Sequence, residues 1–255
     1  MVLGILLTVI LILPCSGATG VCNGVNYDKD IYRCEYGELI GKCKGKDYYV
    51  AYDKCVNGVV VSGTASSDNS GIFIGSRGTF TDSRDGKKYK ATKIGVQTWM
   101  AENLNYNVNG SKCYDNNPAN CQKYGRLYNW NTAKVACPKS WHLPTNAEWE
   151  ALAVAAGGEK IAGKFLKATG GWNGGDFGTT GNGTDAYGFS ALPGGFGGTD
   201  GDFGNIGDFG NWWSSSEFEY NSTDAYIRFM TNFYEAALKL NPPKTYLESV
   251  RCVQD

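Results

Sequence analysis

From Cys137 to Trp149 the chain reads Cys-Pro-Lys-Ser-Trp-His-Leu-Pro-Thr-Asn-Ala-Glu-Trp, and this stretch constrains the fold more than any other. Thr145 and Glu148 stand three apart, which is the spacing of a reciprocal helix cap: the threonine oxygen takes the Glu148 amide and the carboxylate takes the Thr145 amide. Pro144 fixes an extended entry to that cap. Trp149, Leu152, Ala153 and Ala156 then recur at helical spacing and form one apolar face. Gly157-Gly158 ends the helix, as residues free to take the left-handed conformation do. A second short helix is expected over Lys160–Ala168, with Ile161, Phe165 and Leu166 inward. Asn131–Ala136 supplies a helical turn that leads into Cys137.

The next constraint is cysteine. The chain has nine in 255 residues. Val2–Pro14 is an apolar run followed by the small residues Ser16, Gly17 and Ala18, which reads as a secretory signal segment over residues 1–20 although a basic start is missing. The run is too short for a comfortable membrane span. Pro14 before Cys15 fits a lipoprotein site poorly. Losing the leader removes Cys15 and leaves Cys22, Cys34, Cys43, Cys55, Cys113, Cys121, Cys137 and Cys252. An even set in an exported chain reads as disulfides. Zinc is the competing use, but no Cys-x-x-Cys pair occurs and there is one histidine. Spacing alone leaves the connectivity open; the pairing expected is Cys22–Cys34, Cys43–Cys55, Cys113–Cys121 and Cys137–Cys252.

These features divide the chain. Residues 21–61 form a small disulfide-rich N-terminal unit with two similar halves, each carrying a Tyr-Asp pair (Tyr27-Asp28 and Tyr52-Asp53). A unit this small needs its bridges. Residues 62–78 are a Ser/Gly linker. The main domain covers residues 79–255. Asp85-Gly86 is a hairpin turn signal. Tyr89–Ile94 and Val96–Met100 are expected to pair around Gly95. Residues 103–121 read as polar loop, and Gly170–Asn211 as a long excursion rich in Gly, Asp and aromatics. Loops of that length inside a domain are usually functional or disordered. Short strands return at Trp212–Glu217, Ala225–Met230, Glu235–Leu240 and Tyr246–Val253.

Basic and acidic residues nearly balance at 24 and 25. That gives no nucleic-acid or polybasic membrane signal.

A set of separated blocks also carries a family likeness. They are Asp82-Ser83-Arg84-Asp85-Gly86, Trp99-Met100-Ala101-Glu102-Asn103-Leu104-Asn105-Tyr106, Gly125-Arg126-Leu127-Tyr128, Cys137-Pro138, Trp141-His142-Leu143-Pro144-Thr145, Trp213-Ser214-Ser215-Ser216-Glu217 and Ser249-Val250-Arg251-Cys252-Val253. In this order they resemble the Fibrobacter succinogenes major paralogous domain, over roughly residues 79–255. The resemblance implies kinship with C-type-lectin-like domains and with formylglycine-generating (sulfatase-modifying) enzymes. The fold implied is α+β: two helices, a twisted, mostly antiparallel sheet whose terminal strands meet, and long irregular loops. A Cys137–Cys252 bridge fits it, and the excursion falls where lectin-like domains carry ligand loops. The reactive cysteine pair of the enzymes is not carried over, and the lectin calcium motifs are absent; Trp172-Asn173-Gly174 is a partial echo.

The candidate sites follow. Trp172, Phe177, Phe203, Phe209, Trp212 and Tyr220 crowd the excursion, and exposed rings there would stack on sugars. Trp172 and Phe203 are expected at the surface and Trp213 in the core. Asp200, Asp202, Asn205 and Asp208 would gather oxygens around a structural calcium ion, the one cofactor suggested; the competing and preferred reading is a set of turn-forming pairs. His142 is expected to be a packed, hydrogen-bonded structural residue, and no catalytic residue is expected. The reading is a secreted or cell-surface, non-enzymatic binding or adhesion module for polysaccharide or a surface protein. The alternatives are a self-assembling subunit of a surface layer or appendage, and an enzyme of the sulfatase-modifying type.

Overall fold

The computed structural model describes residues 77–175 and 180–255 in full, together with the backbone of seven short strands between residues 19 and 62. The signal-segment and linker expectations, and the Cys22–Cys34 and Cys43–Cys55 pairings, lie outside the described residues and side chains.

The N-terminal strands are β1 (Thr19–Cys22), β2 (Val25–Asp28), β3 (Tyr32–Glu35), β4 (Glu38–Cys43), β5 (Lys46–Tyr49), β6 (Asp53–Val56) and β7 (Val59–Ser62). They form antiparallel hairpins: β1 with β2, β3–β4–β5 in series, and β6 with β7. In the sequence, the two residues between each of these paired strands are Asn23-Gly24, Tyr36-Gly37, Lys44-Gly45 and Asn57-Gly58. Two-residue loops ending in Gly are the strongest local hairpin signal, because the favoured turns need positive φ.

The main domain is α+β. A five-stranded sheet holds β8 (Arg77–Thr81), β9 (Lys88–Ile94), β10 (Gln97–Met100), β13 (Trp141–His142) and β20 (Val253–Gln254), in the order β13-β20-β10-β9-β8. A six-stranded sheet holds β11 (Ser111–Lys112), β12 (Leu127–Tyr128), β16 (Phe209–Glu217), β17 (Ala225–Thr231), β18 (Leu238–Leu240) and β19 (Glu248–Ser249), in the order β11-β12-β19-β16-β17-β18. Pairing is antiparallel throughout except between β16 and β19. A small ribbon, β14 (Phe196–Gly197) with β15 (Phe203–Gly204), is tied to the six-stranded sheet through reciprocal Gly197–Leu247 backbone bonds beside β19. The last segment, expected as one strand over Tyr246–Val253, is instead two. Its first pair lies in one sheet and its second in the other, and Val250–Cys252 cross between them.

Four helices are described, α1 (Pro118–Tyr124), α2 (Trp130–Ala136), α3 (Asn146–Ala155) and α4 (Ala162–Leu166), where the resemblance implied two and the residues a further turn at α2. The α3 cap forms as its sequence dictates, with both reciprocal Thr145–Glu148 bonds present. α1 falls in the stretch read as polar loop. Asn117 caps it, accepting from the Ala119 amide, and Pro118 takes the first helical position, where a missing N–H does no harm. α4 is shorter than the expected Lys160–Ala168. Gly163 inside it lies so close to the Glu235 and Ala236 carbonyls that no Cβ fits. Among the described residues, no helix is long and apolar enough to cross a membrane.

Two large clusters make the core. One gathers Trp99, Trp149, Trp172, Phe189 and Trp212 between α3, α4 and the sheets, with Trp99 and Trp149 4.7 Å apart. The other gathers Tyr128, Trp130, Trp213, Val250 and Cys252. The bridges Cys113–Cys121 and Cys137–Cys252 are both formed, and the second ties the end of α2 to the crossing segment.

Candidate functional site

The period of two along β16 decides what faces where. Trp212 points into the first core cluster, 6.3 Å from Trp149, and its Nε1 donates to Asn103 Oδ1 at 2.8 Å. Phe209, Asn211 and Trp213 take the other face. Across the antiparallel pairs Asn211 sits opposite Phe229, Trp213 opposite Ile227, and Ile227 opposite Leu240. Residues so paired share a face.

On this face lies an open groove of about 310 Å³. Phe196 comes from the small ribbon, Phe209 and Asn211 from β16, Leu240 from β18, Pro242 and Tyr246 from the connection after it, and Glu248 from β19. The Phe196 and Tyr246 rings are parallel within 4°, with centroids 6.0 Å apart. Phe209 stacks on Phe229 at 6.5 Å. No lysine or arginine lines the groove.

Its base is polar and poorly satisfied. Asn211 is 6% exposed and Glu248 1% exposed. Burial pushes the Glu248 carboxyl well above the ordinary carboxylate range, and a hydrogen bond with Asn211 opposes this only in part. Asn211 Oδ1 and Glu248 Oε2 are each buried without a hydrogen-bond partner. Buried polar atoms left unpaired each carry a penalty of about 1–3 kcal/mol, and both of these residues line the groove.

Of the five described aromatic residues expected to bind ligand, Phe209 alone lines this groove. Two expectations are corrected. Trp172 is 6% exposed and Trp212 0%, both filling the core beneath the loops; the Trp172 Nε1 donates to the Ala191 carbonyl at 2.9 Å. Phe203 is half-buried against Tyr114, 5.2 Å away. Tyr220 is 84% exposed beside Phe218, on the connection after β16. Phe177 lies outside the described residues. Trp213 is buried, its Nε1 donating to the Tyr128 carbonyl.

The excursion is held by polar side chains. Burial pushes the Lys167 ammonium down to about 8; its Nζ donates to the Thr231 and Tyr234 carbonyls at 2.9 and 3.1 Å. Arg251 is wholly buried, and burial lowers its pKa against the opposing charges of Asp185 and Glu102. It donates to Asn103 Oδ1 and to the Phe189 and Ser190 carbonyls, and its guanidinium lies 4.2 Å from the Phe189 ring centroid.

The four calcium candidates fall on two turns. Asp200 Oδ1 accepts from the Asp202 amide at 3.2 Å, inside the β14–β15 connection. Asn205 has φ +61° and its carbonyl accepts from the Asp208 and Phe209 amides. Asp208 Oδ1 accepts from the Asn173 and Asn232 amides at 2.9 and 3.1 Å. Among the described residues no group of three or more His, Cys, Asp and Glu is placed to share a metal ion. The turn reading accounts for this geometry.

His142 bridges two carboxylates: Nδ1 lies 2.6 Å from Asp255 Oδ1 and Nε2 2.8 Å from Glu148 Oε1. Its side chain is 39% exposed, so the ring is hydrogen-bonded as expected but not packed away. Burial acts to lower its pKa; the bonds to Asp255 and Glu148 outweigh burial and raise it. The arrangement is a strap between the α3 cap and the C-terminal strand.

Sequence reasoning missed Phe196, Asn211, Leu240, Tyr246 and Glu248. A signal existed for Glu248: an acidic residue inside the run Tyr246-Leu247-Glu248-Ser249-Val250, in a segment otherwise read as core strand.

No curated protein and no solved structure matches the chain. A family model described as the Fibrobacter succinogenes major domain matches residues 92–254. The match spans the six-stranded sheet, the five-stranded sheet except β8 and the start of β9, the α3 cap and all the residues of the groove, well over half of the sequence, and the chain therefore belongs to the Fibrobacter succinogenes major domain family.

Proposed function

We propose that this chain is an exported, non-enzymatic binding module that holds polysaccharide in the groove on the β16–β17–β18 face. The single observation that carries this reading is the groove itself: parallel aromatic rings on an open wall, over buried polar atoms that lack partners. Sugars present apolar C–H faces and many O–H donors at once, and such a surface complements both.

The domain is taken as C-type-lectin-like. In support, the terminal strands β8 and β20 share a sheet, the long excursion lies beside the groove, and the Cys137–Cys252 bridge joins a helix end to the last strands. Export is supported by two formed disulfides, which persist in oxidising compartments. The four cysteines of the described domain are all engaged in those bridges, which leaves the thiol chemistry of a sulfatase-modifying enzyme without a reactive pair there.

The test is retention of the oxidised full chain on cellulose and xylan against a protein-only control, with Phe196→Ala and Tyr246→Ala beside the wild type. The expected result is retention that falls about tenfold in each variant while thermal midpoints stay close. Equal retention of variants and wild type, or no retention on any glycan, overturns the proposal. Concentration-dependent self-association in place of glycan binding would favour a surface-layer subunit.

A further inference from the structure

Resting on the glycan reading, we infer that the groove selects an uncharged sugar unit, whose hydroxyls pair with Asn211 Oδ1 and Glu248 Oε2, and that it rejects acidic sugars. These two atoms lack hydrogen-bond partners within the fold. Both belong to side chains more than nine-tenths buried and both residues line the groove. A ligand without donors would leave them unpaired and would add its own desolvation.

A hydroxyl suits this base better than any charged group. Burial favours the protonated form of the Glu248 carboxyl, and that form both gives and accepts a hydrogen bond, as a hydroxyl does. A uronate or sulfated sugar brings acceptors and negative charge. The groove has no lysine or arginine to meet that charge, and burying it unpaired is strongly unfavourable. The apolar wall completes the match: Phe196 and Tyr246 offer ring faces to C–H groups, and Leu240 and Pro242 extend the apolar surface. The volume of about 310 Å³ is at the small end of ligand pockets, so the groove holds a short unit and not a long run of chain.

The test is calorimetric titration of the oxidised full chain at neutral pH with three oligosaccharides of equal length: a neutral xylo- or cello-oligomer, an oligogalacturonate and a glucosamine oligomer. The expected result is binding of the neutral oligomer, with the acidic one weaker by about tenfold or more. Glu248→Gln should bind the neutral oligomer within about threefold of wild type, because its amide still donates and accepts. Asn211→Leu should bind about tenfold more weakly; should that variant fail to fold, the wild-type contrast and Glu248→Gln decide. Acidic and neutral oligomers binding equally would overturn the inference while leaving the glycan reading intact. Tightest binding of the glucosamine oligomer would overturn it in favour of an ion pair with Glu248. Binding of no oligosaccharide would remove the glycan reading beneath it.

Discussion

Removing the two described disulfides one at a time should produce unequal losses, and the inequality can be worked from the chain. Cys137 and Cys252 are 115 residues apart; Cys113 and Cys121 are 8 apart. In the chain-entropy model the first bridge removes ~4.8 kcal/mol of freedom from the unfolded chain and the second ~2.5 kcal/mol near room temperature. Native contacts widen the gap. Cys252 is 0% exposed and its carbonyl accepts from the Met100 amide at 3.0 Å, beside the point where the chain crosses between sheets. Cys137→Ala/Cys252→Ala should therefore lose about 5 kcal/mol and Cys113→Ala/Cys121→Ala about half of that. The assay is urea unfolding followed by tryptophan fluorescence, with the slope compared as well as the midpoint. Freeing the long loop lets the unfolded state expand, so the slope should rise in the first variant more than in the second. Equal losses, or a larger loss from the short bridge, would refute the entropy argument and place the stabilisation in local contacts.

Four further outcomes are expected. His142→Gln should weaken stability most between about pH 4.5 and 6.5: the raised His142 pKa stabilises the fold below its unfolded value and is lost as pH rises through the folded value, while Glu148, which burial acts to raise but bonds from Thr145 and His142 hold low, stabilises above its unfolded value and is lost as pH falls. Midpoints of urea unfolding across that range would show it, and a pH-independent difference would refute it. Gly163→Ala should destabilise by about 1–3 kcal/mol in the same assay despite alanine's better helix propensity, because its Cβ meets the Glu235 and Ala236 carbonyls; a gain in stability would show that α4 can shift. Trp172→Ala should lose about 3–5 kcal/mol and Tyr220→Ala less than about 0.5 kcal/mol, a contrast that reversed values would overturn. Adding a chelator should leave the thermal midpoint unchanged, since Asp200 and Asp208 accept amide bonds on separate turns; a clear drop would restore the calcium ion.

Local signals were the legible ones. The α3 cap and the Gly95 hairpin follow from residues a few positions apart, and the cysteine set announced bridges without fixing their pairing. The blocks that carry the family resemblance turn out to be frame. Asp82 holds Arg84 through two carboxylate oxygens, Asn103 collects Trp212 and Arg251, and Trp99, Trp149 and Trp213 fill the core. They identify the family without pointing at the groove. α1 was missed although Asn117-Pro118 is a good start signal, because the surrounding Asn-rich stretch masks periodicity.

Residue order alone therefore determined the domain class, the helix anchored at Thr145, the bridging cysteines and the aromatic richness of the excursion. It did not decide which aromatics reach solvent. That choice depends on the phase of β16, which begins at Phe209 and not at Trp212, and on what each face of it meets. With that phase Trp212 turns to Trp149 in the core, and Phe209 and Asn211 turn outward. Likewise Phe196 and Tyr246 are fifty positions apart, and Asn211 and Glu248 nearly forty. Packing of the ribbon and the last strands against one sheet face brings them together, and no local pattern encodes a contact at that separation.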